Sequence, residues 1–126
     1  MGEVVKVKKE VLHDLFILCK EFHPNEFIAL LEGDGKEKGV VGRMSVLHDS
    51  FHSPNMSSYN PYSVPYSLEV IGTVHSHPNG VLFPSRADLE HFRKSGSIHA
   101  IVGPPYSAGS ISFFDGKGKR LDFKVV

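Results

Sequence analysis

A chain of 126 residues, 40% apolar and 22% charged, is long enough to bury a core without staples and short enough to form one domain over 1–126. Fourteen basic and fourteen acidic residues cancel, and no basic stripe is present, which excludes the electrostatic footprint of a nucleic-acid groove. The single cysteine, Cys19, excludes an intrachain disulfide and a cysteine-rich metal site, so nitrogen and oxygen must hold any bound metal.

The amino terminus, MGEVVKVKKEV, is charged early and lacks the apolar core of a signal peptide. Lys6 stands where a myristoylation signal wants Ser or Thr. No uninterrupted apolar run, Phe27 to Leu31 included, approaches the length of a bilayer span. Together with the free cysteine, these features predict a soluble cytoplasmic protein.

Residues 4–7 predict a short strand. From Lys8 to His23, Val11, Leu12, Leu15, Phe16, Cys19 and Phe22 recur at helical spacing with charged residues opposite. Pro24 restricts His23 and ends that helix. Glu26 to Glu32 is a compact apolar strand closed by Gly33-Asp34-Gly35, and Val40 to Leu47 is its antiparallel return. Residues 48–67 hold three prolines, six serines and three tyrosines and break every periodicity. They predict an ordered, irregular loop or one with a short edge strand, of a length that is often functional.

The run with Leu68, Val70, Ile71, Thr73 and Val74 is β-branched and apolar, and predicts a strand ending in His75-Ser76-His77. A loop from Pro78 to Pro84 leads to a helix that starts at Ser85 and is stopped by Gly96. Ile98 to Val102, Ser110 to Phe114 and Arg120 to Val126 read as strands, separated by turns at Gly103-Pro104-Pro105 and Gly116-Lys117-Gly118. The order predicts a mixed α/β fold, a sheet covered by a few helices.

Alternate side chains on a strand share a face, so His75 and His77 point one way and Ser76 the other. Two imidazoles with a carboxylate arriving from Asp88 make three ligands of the kind zinc prefers, with the fourth position left to water. Ser85-x-x-Asp88 also has the form of a helix capping box, which needs no function, and both readings can hold together. Several other H-x-H chemistries are excluded by the residues after His77 and by the lone cysteine. The metallo-β-lactamase pattern fails at Asn79-Gly80, a third alternate histidine is missing at Asn79, and a zinc deaminase needs a P-C-x-x-C run.

His75-Ser76-His77-Pro78, with Ser85 and Asp88 after it, resembles the signature of the JAMM (MPN-plus) metalloproteases. The segment His23-Pro24-Asn25-Glu26-Phe27-Ile28-Ala29-Leu30-Leu31 resembles the one that carries the upstream glutamate of that family. The likeness covers nearly the whole chain. Residues 48–67 stand where the family has its first insertion, and no room is left after Lys94 for the later insertion of eukaryotic ubiquitin-chain enzymes. The chain thus resembles the minimal prokaryotic, archaeal type.

That resemblance implies an α/β, MPN-type (cytidine-deaminase-like) fold, a mixed β-sheet flanked by α-helices. It implies one zinc ion per chain on His75, His77 and Asp88, with Glu26 as general base and acid and Ser85 as stabiliser of the developing oxyanion. Glu32 is the alternative acid of the same segment. The implied activity is that of a zinc isopeptidase, removing ubiquitin-like modifier proteins from lysine or another amine by attack of a metal-activated water. Tyr59, Tyr62 and Tyr66 are then candidate contacts for the modifier's extended tail, and family members form homodimers. Two alternatives differ in class: a non-catalytic MPN scaffold that docks partners, and a zinc amidase acting on a sulfur-carrier adduct or a small-molecule amide.

Overall fold

The computed structural model describes residues 4–47 and 49–126. Residues 1–3 and His48, the first position of the expected irregular loop, lie outside the described residues. The elements are β1 (Val4–Val7), α1 (Lys9–Phe22), β2 (Ile28–Gly33), β3 (Val40–Ser45), β4 (Phe51–His52), β5 (Ser57–Ser58), β6 (Val70–Ser76), α2 (Arg86–Phe92), β7 (Ile98–Val102), β8 (Ile111–Phe114) and β9 (Arg120–Val125). Short 3-10 turns occupy Pro61–Ser63 and Ala108–Ser110. Where residues 48–67 were expected to be irregular or to hold a short edge strand, the described part contains the small separate hairpin β4–β5.

The expected mixed sheet is present and closes on itself in the order β1-β3-β2-β6-β7-β8-β9. β9 returns to β1 as a parallel neighbour, pairing Val4 with Asp122 through to Val7 with Val125. β2 and β3 form the antiparallel pair expected from the turn between them. β6 lies antiparallel to β2 and parallel to β7, so it is central.

Alternation along these strands decides where the helices go. Val74, Ala100, Val102, Ile111 and Phe113 join Val11, Leu12, Leu15 and Cys19 of α1 in one buried cluster. Ile101 and Phe114, at intervening positions, form a second cluster with Phe92 of α2. Each fully buried Leu, Val or Phe contributes roughly 1.5–3 kcal/mol, which anchors both helices to the sheet. Burial also pushes the Cys19 thiol up to about 12, so it packs as an inert apolar residue. Among the described residues, no helix is long and apolar enough to cross a membrane.

Two glycines allow β6 and β7 to meet. Gly72 faces Ile98 across the parallel pair, and a Cβ on Gly72 would sit 1.5 Å from the Ile98 carbonyl oxygen. Gly96, at φ +114°, takes the chain from α2 into β7 in a conformation that favours glycine.

His99 sits fully buried on the α2 side of the sheet. Its Nε2–H donates to the Gly96 carbonyl at 3.0 Å, so Nδ1 accepts from the Thr73 hydroxyl at 2.8 Å. Phe92 stacks on the ring with centroids 4.3 Å apart. Burial, only partly offset by the Gly96 carbonyl, lowers this imidazole from 6.5 to about 4. The folded state therefore keeps His99 neutral. Its contribution to stability is complete above pH 6.5 and is lost as pH falls through that window toward 4. Urea melts are expected to show stability declining by up to about 1.4 kcal/mol per pH unit there. A His99→Gln variant, which has no such proton to gain, should give a shallower profile.

Candidate metal centre

β6 carries His75 near its C-terminal end, and the ladder runs one step past the strand, because the His77 N–H donates to the Val102 carbonyl at 2.8 Å. Alternation therefore persists, and the two imidazoles share a face. Their Nε2 atoms lie 3.0 Å apart. Ser76 points to the opposite side, where its hydroxyl accepts from the Phe27 N–H at 2.8 Å. The Phe27 carbonyl in turn accepts from the Ser76 N–H at 2.9 Å, which ties the Glu26 segment to the histidine strand.

The loop after His77 orients its ring. Gly80 N–H donates to the His77 carbonyl, and the Asn79 side chain accepts from Val81 N–H. That turn aims the Val81 carbonyl at His77 Nδ1, 2.7 Å away. A carbonyl can only accept, so Nδ1 carries a proton and Nε2 is the ring atom turned toward the site, available to a metal once it is deprotonated. Such a partner on the far nitrogen is the usual support of a metal-bound histidine.

The capping box at Ser85 is real, and it is also what holds Asp88. The Ser85 hydroxyl accepts from Asp88 N–H at 3.1 Å while Asp88 Oδ2 accepts from Ser85 N–H at 2.8 Å. With its carboxylate fixed this way, Asp88 places Oδ1 3.2 Å from His75 Nε2 and Oδ2 3.2 Å from His77 Nε2. Burial pushes the Asp88 carboxyl up, but the bonds to His75 and His77 outweigh it and hold it well below the usual carboxylate range. Burial likewise pushes His77 down, and the Asp88 carboxylate and Val81 carbonyl outweigh it, leaving His77 above its ordinary value.

Glu26 is half-buried and lines the same groove of about 810 Å³ as His75, His77, Ser85 and Asp88. Burial raises its carboxyl above the ordinary value, partly countered by the two imidazoles and by the Ser57 hydroxyl. Glu32, the alternative acid, is buried within β2, bonds the Ser45 hydroxyl of β3 and is absent from the groove wall. Tyr59 lines the groove, edge-on to His91 and 3.4 Å from the Ser95 hydroxyl. Tyr62 and Tyr66 are fully exposed and lie outside that wall.

His91 also lines the groove, and its Nε2 is buried with no partner among the described residues. Burial holds its imidazole below the ordinary value. Sequence reasoning overlooked Ser57 and Val81, and it placed Ser76 and Asn79 without the hydrogen bonds they make. The Asn79-Gly80 pair was the one local signal available, since it marks the turn that aims the Val81 carbonyl.

Ligand atoms of His75, His77 and Asp88 all lie within 4.8 Å of one another. Neighbouring ligands around a tetrahedral zinc with bonds of roughly 2.0–2.1 Å would lie only slightly farther apart than the 3.0 and 3.2 Å seen here. Two imidazole Nε2 atoms converging beside an ionised carboxylate are the donor set of a zinc site with one position left open. The residues present therefore fit the metal.

Known proteins resemble this chain in sequence and in fold. A family model described as prokaryotic homologues of the JAB domain matches residues 8–115. A Haloferax volcanii protein described as a probable metalloprotease is 38% identical over 132 residues, 98% of this chain and 81% of its own length. The crystal structure of a JAB1/MPN domain protein from Archaeoglobus fulgidus aligns with a TM-score of 0.74 at 33% identity, covering 97% of this chain and 99% of that one. A structure described as JAMM, a metalloprotease-like zinc site in the proteasome and signalosome, aligns equally well at 31% identity, covering 98% and 99%. With the triad assembled as its motif required, this chain belongs to the prokaryotic JAB family and carries a JAMM-type zinc-metalloprotease active site.

Proposed function

We propose that the protein is an isopeptidase that hydrolyses the amide joining the carboxyl terminus of a ubiquitin-like modifier to a lysine or another amine. The observation that carries this reading is Glu26 lining one open groove with the His75, His77 and Asp88 triad. A single zinc ion held by that triad would supply a Lewis acid able to bring the pKa of water near 7.

Glu26 takes the proton of the attacking water and passes it to the departing amine. Burial raises its pKa toward the operating range, which brings both transfers within reach. The Ser85 oxygen accepts from Asp88 N–H, and its own proton remains available to the substrate carbonyl oxygen as charge develops there. A protein tail suits the groove's borders. β5 belongs to a two-stranded ribbon with a free edge, able to pair an extended chain. Met56, Val81 and Phe83 line the groove and are exposed, and offer apolar contact to the same tail, as does Tyr59.

The decisive experiment incubates the zinc-loaded chain with a panel of ubiquitin-like conjugates and with a small Gly-Gly-lysine isopeptide. Chelator-sensitive release of the modifier is expected. Cleavage confined to small amides or a sulfur-carrier adduct would move the reading to a zinc amidase, and cleavage of nothing would move it to a scaffold.

Ser85 has a test of its own. Ser85→Asn keeps a capping side chain, so the melting temperature should hold. Turnover should fall roughly 10²-fold through loss of the oxyanion donor. A normal rate in that variant would leave Ser85 as a cap alone.

A further inference from the structure

Glu26 lies just ahead of β2, where the ladder to β6 has not begun, so its backbone has no strand partner. The hairpin β4–β5 supplies partners instead. Glu26 N–H donates to the Ser53 carbonyl at 2.7 Å. The Glu26 carbonyl accepts from His52 Nδ1–H at 3.0 Å, and Oε1 of its carboxylate accepts from the Ser57 hydroxyl at 3.2 Å.

These contacts are braced from behind. The His52 ring stacks on Phe27 at 5.9 Å and meets Phe22 edge-on at 4.5 Å. Across the hairpin's turn, Ser53 N–H donates to the Met56 carbonyl at 2.9 Å and Met56 N–H donates to Ser53 Oγ at 3.2 Å. A ribbon with two residues in each strand has little stability alone, so its anchorage on Phe22, Glu26 and Phe27 is what orders it.

We propose that Ser57 is a positioning residue, holding the Glu26 carboxylate in its reacting orientation from the hairpin that clamps Glu26 by its amide, carbonyl and side chain. This rests on the reading of Glu26 as the proton acceptor. A glutamate side chain left to itself samples several rotamers. A charge-assisted bond to one oxygen selects among them and leaves the other oxygen for the water proton. The effect falls on the chemical step, because proton transfer depends steeply on alignment.

The test uses the zinc-loaded full chain and a fluorogenic peptide whose terminal Gly-Gly carboxyl is joined to a lysine ε-amine. Ser57→Ala is expected to lower kcat about tenfold, with KM, zinc affinity and melting temperature unchanged. Ser57→Thr keeps the hydroxyl and should recover most of that loss. In a Glu26→Gln background Ser57→Ala should change little, because both act through one carboxylate. A crystal structure of Ser57→Ala should show the Glu26 side chain in more than one rotamer, a result that needs no substrate.

Native kcat in Ser57→Ala, no recovery with Thr, a further tenfold loss on top of Glu26→Gln, or a single unchanged Glu26 rotamer would each overturn the positioning role and leave the base assignment standing. Near-native turnover in Glu26→Gln alone would remove the base assignment, and the role of Ser57 with it.

Discussion

Glu26→Gln is expected to retain zinc and the native melting temperature while turnover falls about 10³-fold. The amide is nearly the same size as the carboxylate and can still accept from the Ser57 hydroxyl, so the clamp around position 26 survives. What is lost is the capacity to take up a proton. The metal triad is built from β6, the residue just past it and α2, and does not include position 26, so metal affinity should be untouched. Zinc content and turnover measured on one preparation make the check. A variant that holds zinc and hydrolyses at the native rate would take Glu26 out of the chemistry.

Stripping the metal should abolish hydrolysis altogether and should also loosen the fold. Turnover should drop to background with chelator and return when zinc is added back. Ligand binding to the folded state alone adds stability, about 2.7 kcal/mol at a hundredfold excess over the dissociation constant, so the melting temperature should climb with zinc concentration.

Protons compete for the same site. His77 is held above its ordinary value by Asp88 and Val81 against the effect of burial, so zinc must displace a proton there as pH falls through that raised value. Zinc affinity should therefore weaken with falling pH, beginning above the range of an ordinary histidine. Titrations at pH 8, 7 and 6 would show it, and an affinity flat across them would contradict the protonation described for His77.

Local pattern was enough to locate most strands and both helices. α1 needed only the spacing of Val11, Leu12, Leu15 and Cys19 with Pro24 as its stop, and it runs from Lys9 to Phe22. The hairpin in residues 48–67 was less legible, because strands of two residues leave no periodicity to read. Its order comes from contacts with residues some thirty positions earlier. Tyr59, Tyr62 and Tyr66 looked alike in sequence, yet Tyr59 alone lines the groove, since nothing in their spacing shows which way an irregular segment faces.

Local sequence sufficed for the ligand types, because H-x-H at a strand end and S-x-x-D at a helix start are short-range patterns with short-range geometry. Closure of the sheet through β9 onto β1 came only with the tertiary fold, and the nearness of Glu26 to a triad some fifty residues later, implied by the family resemblance, had no local pattern to show it. Both depend on pairing between distant strands, above all the antiparallel register that sets Ile28 against His75. Such registers arise from burial summed over a whole sheet, which no local window contains.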